Sequence, residues 1–302
     1  MDLDSLNIFL NIAETRNMTV SSKQLFKSQP NISRQMKQLE GELGFPLFIR
    51  NRGVRSIELT QQGEEFLLYA KRIRTIMQEA GHLADSKQYY YLNVAALYSI
   101  NTYVLDPVYR NILQSRRDLR LSIHNFYSLE AYNQVSRGAI DLSFTAITMH
   151  HNSVRTEPCF EEKTFIVANK NTVYANTETV ENLPIERCVY VSWSLEHDSW
   201  FIHHFGNNQN CFVNLLSLTV MEELLRTIDC WALVPASMIP SLLRNEEIVM
   251  VPIKDRIPDR RVYMITPADS DLTLVKYFVK EVDEHLKEFE DIRSLIDPEI
   301  IK

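Results

Sequence analysis

The chain has 302 residues, 45% of them hydrophobic, four cysteines and a net charge of −7. That length and apolar content allow two or three domains with real cores. No apolar run of about 18 residues offers a membrane span, and the acidic start Met1-Asp2-Leu3-Asp4 does not read as a signal peptide, so a cytoplasmic protein is expected. Cys159, Cys188, Cys211 and Cys230 are far apart without CxxC spacing, which favours free thiols over disulfides or a zinc site. The charge is unevenly spread. Residues 16–55 carry eight Lys/Arg against two Asp/Glu, or +6, residues 1–90 sum to +2, and the remainder to −9. A locally basic N-terminal unit on an acidic body points to a polyanionic partner for that unit alone.

Taken in order, residues 3–15 predict a helix with Leu6, Phe9, Leu10 and Ala13 on one face, broken at Asn17-Met18. Thr19 is placed to cap a short second helix reaching Leu25-Phe26. After a turn through Lys27, Ser28 caps a third helix to Leu43. Its apolar stripe Ile32, Met36, Leu39, Leu43 is spaced 4, 3 and 4, which turns Pro30, Arg34 and Lys37 outward with Asn31, Ser33 and Gln38 beside them. Two short helices and a tight turn make a helix-turn-helix, whose second helix fits the major groove of DNA. Short extended runs then flank Asn51-Arg52-Gly53, a hairpin wing carrying Arg50, Arg52 and Arg55 for phosphate or minor-groove contact.

Thr60 opens a long helix to about Asp85. Phe66, Ala70, Ile73, Met77, Ala80 and Ala84 alternate spacings of 4 and 3, as in a coiled-coil seam, with Tyr69, Ile76 and Leu83 widening it. A dimerisation helix is expected; the alternative is packing on the chain's own body. From Leu92 short apolar runs alternate with helical stretches, as in α/β folds. Strands are expected at 92–97, 119–123, 141–145, 164–168, 189–192, 232–235, 249–251 and 261–266. Helices are expected at 102–115, 129–137, 198–204, 219–228, 236–245 and 274–289.

The first 85 residues resemble the LysR-type transcriptional regulators. The carriers are Leu6 and Phe9, the run Leu25-Phe26-Lys27-Ser28-Gln29-Pro30-Asn31-Ile32-Ser33-Arg34-Gln35, then Leu39-Glu40-Gly41-Glu42-Leu43-Gly44. Pro46-Leu47-Phe48 with Arg50, and Leu59-Thr60 with Gly63, complete them. Further on, Ser128 to Gly138 with Asp141-Leu142, Phe160-Glu161-Glu162 before Phe165-Ile166-Val167, and Leu233-Val234-Pro235 resemble the family more weakly. The resemblance implies an α+β multidomain chain. Its parts are a winged helix-turn-helix at 1–59, a linker and dimerisation helix at 60–90, and an effector-binding region at 91–302. That region would be two α/β lobes of periplasmic-binding-protein type joined by two crossovers, lobe I about 91–162 and 267–302, lobe II about 163–266. This chain departs from the family with Ser21-Ser22 where two alanines are common, and with Ile228-Asp229-Cys230-Trp231 where a Gly-x-Gly is frequent.

By the same analogy the DNA-binding residues are Gln29, Pro30, Asn31, Ser33, Arg34 and Lys37 with the wing Arg50, Arg52 and Arg55. Ligands in two-lobed folds sit at strand C-terminal ends and helix N-termini. That selects Ser99, Thr102, Ser128, Thr145, Trp193, Ser194, Thr219 and Thr266 for a small-molecule effector, with Ser99 and Ser128 foremost; no cleft arginine can be placed. The implied partners are promoter DNA, the effector, further copies of the chain as a homodimer or homotetramer, and RNA polymerase for an activator. No cofactor or membrane is implied. His150-His151, and His197 with His203-His204, do not have a standard metal spacing and read as surface residues. Without a P-loop, GxSxG, HExxH or paired-carboxylate motif, an enzyme is not expected. The other classes that stay open are a solute-binding protein and a sensor switched by cysteine oxidation.

Overall fold

The computed structural model describes residues 2–49, 57–81, 89–268 and 273–301. Contacts divide the chain into two units, the first formed mainly by residues up to Tyr91 and the second by Leu92 onward.

In the first unit α1 (Leu3–Thr15) is capped by Asp2, which accepts from Ser5 N, and buries Leu6, Phe9, Leu10 and Ala13 as its spacing predicts. The cap of α2 (Met18–Gln24) is Asn17 rather than Thr19. The Asn17 side chain stands on extended backbone and accepts from both Thr19 N and Val20 N, taking two of the free N–H groups that open a helix. Ser21 and Ser22 are buried, so small side chains are indeed needed there. Helix α3 (Gln29–Leu43) buries Ile32, Met36 and Leu39 and ends at Gly44, whose φ of 80° suits glycine. Glu40 then folds the chain back, its Oε1 accepting from Leu47 N at 2.8 Å.

Strands β1 (Phe48–Ile49) and β2 (Glu58–Leu59) pair antiparallel. The wing tip, with Arg50, Arg52 and Arg55, lies outside the described residues. Thr60 opens α4 (Gln61–Gly81), its Oγ1 donating to Pro46 O and accepting from Gly63 N. A Cβ on Gly63 would sit 2.2 Å from Leu47 O, so the strand and helix can meet this closely only over glycine. Phe9 packs against Phe48 and Phe66 with ring centroids 5.6 and 5.1 Å apart.

The second unit starts with β3 (Tyr90–Ala96), α5 (Tyr98–Ile100), a π-helical turn (Asn101–Leu105) and α6 (Asp106–Ser115). Then come β4 (Leu119–Asn125), α7 (Ser128–Ser136), β5 (Leu142–Thr145), β6 (Val154–Glu162) and β7 (Thr164–Asn169). The chain continues through β8 (Val189–Tyr190), α8 (Leu195–Phe205), β9 (Val213–Asn214), α9 (Leu218–Thr227), β10 (Trp231–Pro235) and α10 (Ile239–Leu242). It closes with β11 (Ile248–Met250), β12 (Arg260–Pro267), α11 (Thr273–Leu286), β13 (Ile292–Ser294) and α12 (Pro298–Ile301).

Lobe I is a six-stranded sheet in the order β13-β6-β12-β5-β3-β4, in which β3 and β5 are parallel and β12 is antiparallel to both β5 and β6. Its core joins Val94, Phe144 and Val262 of the sheet to Ile112 of α6 and Phe278 and Val282 of α11. Lobe II has β7 between β10 and β11, with β8 and β9 paired beside them. Trp231, Phe201, Met221 and Leu225 fill its core. The expected lobe boundary at Thr266 is corrected: β12 lies wholly in the lobe I sheet, so lobe II ends before Arg260. Thr164 Oγ1 donates to Pro258 O at 2.7 Å and ties the two crossovers together.

Three further expectations change. The helix expected from Thr102 begins at Tyr98, carried through the π-helical turn. The expected helix 236–245 is a short 3₁₀ turn (Ala236–Met238) and a single turn, α10. Strand β6, unforeseen, carries Pro158 at an irregularity opposite Val262 and Tyr263, where a proline's missing N–H is tolerated.

Candidate functional site

On α3, Gln29, Pro30, Arg34 and Lys37 are exposed, and Asn31 and Ser33 are half-buried. The buried stripe Ile32, Met36, Leu39 holds the helix on α1 and α2, so the opposite face is the one presented. Glu40 turns its carboxylate to the backbone N–H groups of Leu47 and Phe48, and among the described residues no carboxylate pairs with Arg34 or Lys37. Lys27 serves the fold instead, its Nζ 2.7 Å from Asp4, which also accepts from Gln35 and whose pKa these bonds lower.

The seam expected along α4 divides in two. Phe66 and Ala70 are buried in the unit's own core beside Phe9, so they are not free for a partner; this corrects the sequence reading for those two positions. Ile73 is half-buried, and Tyr69, Ile76, Met77 and Ala80 are exposed. Ala84 lies outside the described residues.

Between the lobes lies a cavity of about 590 Å³. Of the eight residues expected there, Ser99, Ser128, Trp193 and Ser194 line it. Thr145 stands behind Ser128, donating to its Oγ at 2.5 Å. Thr102 and Thr219 are exposed and Thr266 is buried, and none of these three lines the cavity. Thr266 was misplaced because β12 is antiparallel: its first residue, not its last, lies near the C-terminal ends of β3 and β5.

That first residue is Arg260, the residue missed in the sequence. It is 1% exposed and lines the cavity. Nη1 lies 3.2 Å from Glu162 Oε1, Nη2 donates to Ser99 Oγ at 3.1 Å, and the guanidinium stacks 5.3 Å from the Trp193 ring centroid. Burial lowers its pKa and Glu162 opposes that shift; an arginine so paired stays charged. Glu162 Oε2 also accepts from Ser237 N at 3.0 Å. The signal available in the sequence was Arg260 opening an apolar strand, with Glu162 closing another.

His197 is buried, not at the surface as expected. Its Nδ1 lies 2.8 Å from Ser194 Oγ and its Nε2 3.3 Å from Thr164 Oγ1. Thr164 gives its own proton to Pro258 O, so toward His197 it can only accept, from Nε2–H. Burial, then the charge of Arg260, push its pKa down to about 4. Cys188 and Cys211 come together where β8 and β9 pair, Val213 N donating to Cys188 O at 3.3 Å; Cys188 lowers the Cys211 pKa, while burial, first, raises that of Cys188. Cys230 is buried and pushed up to about 12 by burial.

These parts define a helix-turn-helix unit joined to a two-lobed α/β unit with a cavity between its lobes. Residues 3–64 match the family described as bacterial regulatory helix-turn-helix protein, lysR family, and residues 90–287 match the LysR substrate binding domain. The chain belongs to the LysR family. It is 31% identical over 157 residues to the probable cat1 operon transcriptional activator of Acinetobacter lwoffii, a match that covers 50% of each chain. The chain thus spans about half the length of the first curated relatives it matches. Similarity to the HTH-type transcriptional regulator CzcR of Bacillus anthracis is 23% over 293 residues, covering 94% of this chain and 98% of that one. The structure of full-length CbnR complexed with its target DNA shares the fold at a TM-score of 0.71 and 23% identity, over 94% of this chain and 100% of that one.

Proposed function

We propose that this chain is a cytoplasmic transcriptional regulator that binds promoter DNA as a homo-oligomer and is switched by a small molecule in the inter-lobe cavity. The observation that carries the reading is that cavity, walled by both lobes and floored by buried polar groups, in a chain whose other unit presents an exposed cationic helix face. Gln29, Pro30, Asn31, Ser33, Arg34 and Lys37 are the proposed DNA contacts, with Arg34 suited to a guanine edge or a phosphate. The related CbnR structure was solved on its target DNA, which supports the same use of α3. The exposed part of α4 is the proposed dimer contact. If the output is activation, RNA polymerase is a further partner.

The test is a salt series of binding to the chain's own promoter region. Arg34→Ala should weaken specific binding strongly, and Lys37→Ala should flatten the salt slope by about 1 if it meets a phosphate. Wild-type affinity in both variants would remove α3 from the interface. A second reading, a thiol switch, is favoured by the position of Cys188 and Cys211 at the paired starts of β8 and β9. Mass mapping after mild oxidation should then find a Cys188–Cys211 disulfide, and its absence would retire that reading.

A further inference from the structure

The hydrogen bonds at the cavity floor determine what its hydroxyls can offer. Arg260 Nη2 donates to Ser99 Oγ at 3.1 Å, and Thr145 Oγ1 donates to Ser128 Oγ at 2.5 Å. Each serine oxygen already accepts a bond, so its own proton is left to donate. Both serines line the cavity, and a ligand there meets two donors and must bring an acceptor.

The charges decide which kind of acceptor. Arg260 is the cation of the floor, but the equally buried Glu162 lies 3.2 Å from it and cancels its charge. Asp198 also lines the cavity, its two oxygens accepting from the hydroxyls of Tyr190 and Ser192. One cation stands against two carboxylates, a net of −1 on and just behind the wall. The helices that begin at Tyr98, Ser128, Leu195 and Leu218 all start at the cavity wall, and their partial positive ends offset that −1 without supplying a free side-chain cation. A carboxylate entering it would lose its hydration and find no uncompensated cation in exchange. Replacing the partner already on Arg260 would strand Glu162 in the interior.

We propose that this cavity, read as the effector site above, takes an uncharged molecule. An apolar body lies against Trp193 and the neighbouring aromatic wall, and one carbonyl-type oxygen, of an amide, ester, lactone or ketone, is held by Ser99 and Ser128. Glu162 is the residue that sets this choice, because it occupies the cation an acidic ligand would need.

The experiment is calorimetric titration of the full chain at neutral pH with matched probes, benzamide against benzoate and hexanamide against hexanoate. The amides should bind more tightly than their carboxylates by about tenfold, the scale of one poorly compensated charge. The double variant Ser99→Ala with Ser128→Ala should lose amide binding. Glu162→Gln should unmask Arg260 and turn the preference toward the carboxylates. Asp198→Asn, at a half-buried position, should shift the preference the same way and serves if the Glu162 variant does not fold. A wild-type preference for carboxylates that the double serine variant abolishes would overturn the uncharged class and leave the effector site standing. Failure of both pairs to bind at concentrations on the order of 10 mM, or binding unchanged in the double variant, would overturn both.

Discussion

Phe26 sits in the turn between α2 and α3 at a φ of 52° with 97% of its surface exposed. The left-handed region costs an L side chain roughly 1–2 kcal/mol, and an exposed ring has no packing to offset it. Asparagine tolerates that conformation. Phe26→Asn should therefore stabilise the first unit by about 0.5–1 kcal/mol in denaturant unfolding, well within what relief of such strain can give; a destabilised variant would mean that the ring has a partner. His197 makes the opposite kind of prediction. Its folded pKa of about 4 lies below the roughly 6.5 of an unfolded histidine. Between those values the unfolded chain binds more protons, so stability falls as pH drops through that window, by about 3 kcal/mol in full. His197→Gln should flatten that part of the pH–stability curve, while an unchanged slope would assign it to other groups.

At the scale of elements, the helices of the first unit were legible because an apolar stripe is a local signal. Ile32, Met36 and Leu39 are buried where their spacing puts them. Strands β3, β5, β7 and β10 announced themselves by apolar runs, whereas β6 hid behind Pro158 and three glutamates. Arg260 was illegible for a different reason. Whether a strand offers its first or last residue to a cleft depends on its direction relative to β5, and direction is a long-range property. Periodicity also could not say which neighbour α4 meets. Its first turns bury Phe66 and Ala70 internally, and its later turns expose Ile76 and Met77 at 50% and 43%. Ile76→Lys with Met77→Lys should accordingly leave unfolding free energy nearly unchanged and abolish self-association in sedimentation. Phe66→Ala should instead cost about 3–5 kcal/mol of stability, as emptied aromatic sites do. If the double lysine variant sediments as wild type, the exposed stripe is not the dimer contact.

At the scale of the whole molecule, two units with separate cores need a thermodynamic link if one is to govern the other. Family motifs announced both units, but only the folded chain brings Ser99, Ser128, Trp193 and Arg260, far apart in sequence, to one cavity. A ligand there can act on DNA binding only through a difference in affinity between two arrangements of the chain. The link must also be mutual. If the ligand changes affinity for promoter DNA by some factor, saturating DNA must change affinity for the ligand by the same factor, typically about 5- to 150-fold. The prediction is that calorimetric titration of a cavity ligand with and without saturating promoter DNA gives a ratio of dissociation constants equal to the ratio for DNA with and without ligand. The double variant Ser99→Ala with Ser128→Ala should bind DNA normally and show a ratio of one, because α3, the proposed DNA contact, belongs to the other unit. Tight ligand binding with a ratio of one in the wild-type chain would make the cavity a binding site without regulatory output, and the switch would then be sought at Cys188 and Cys211.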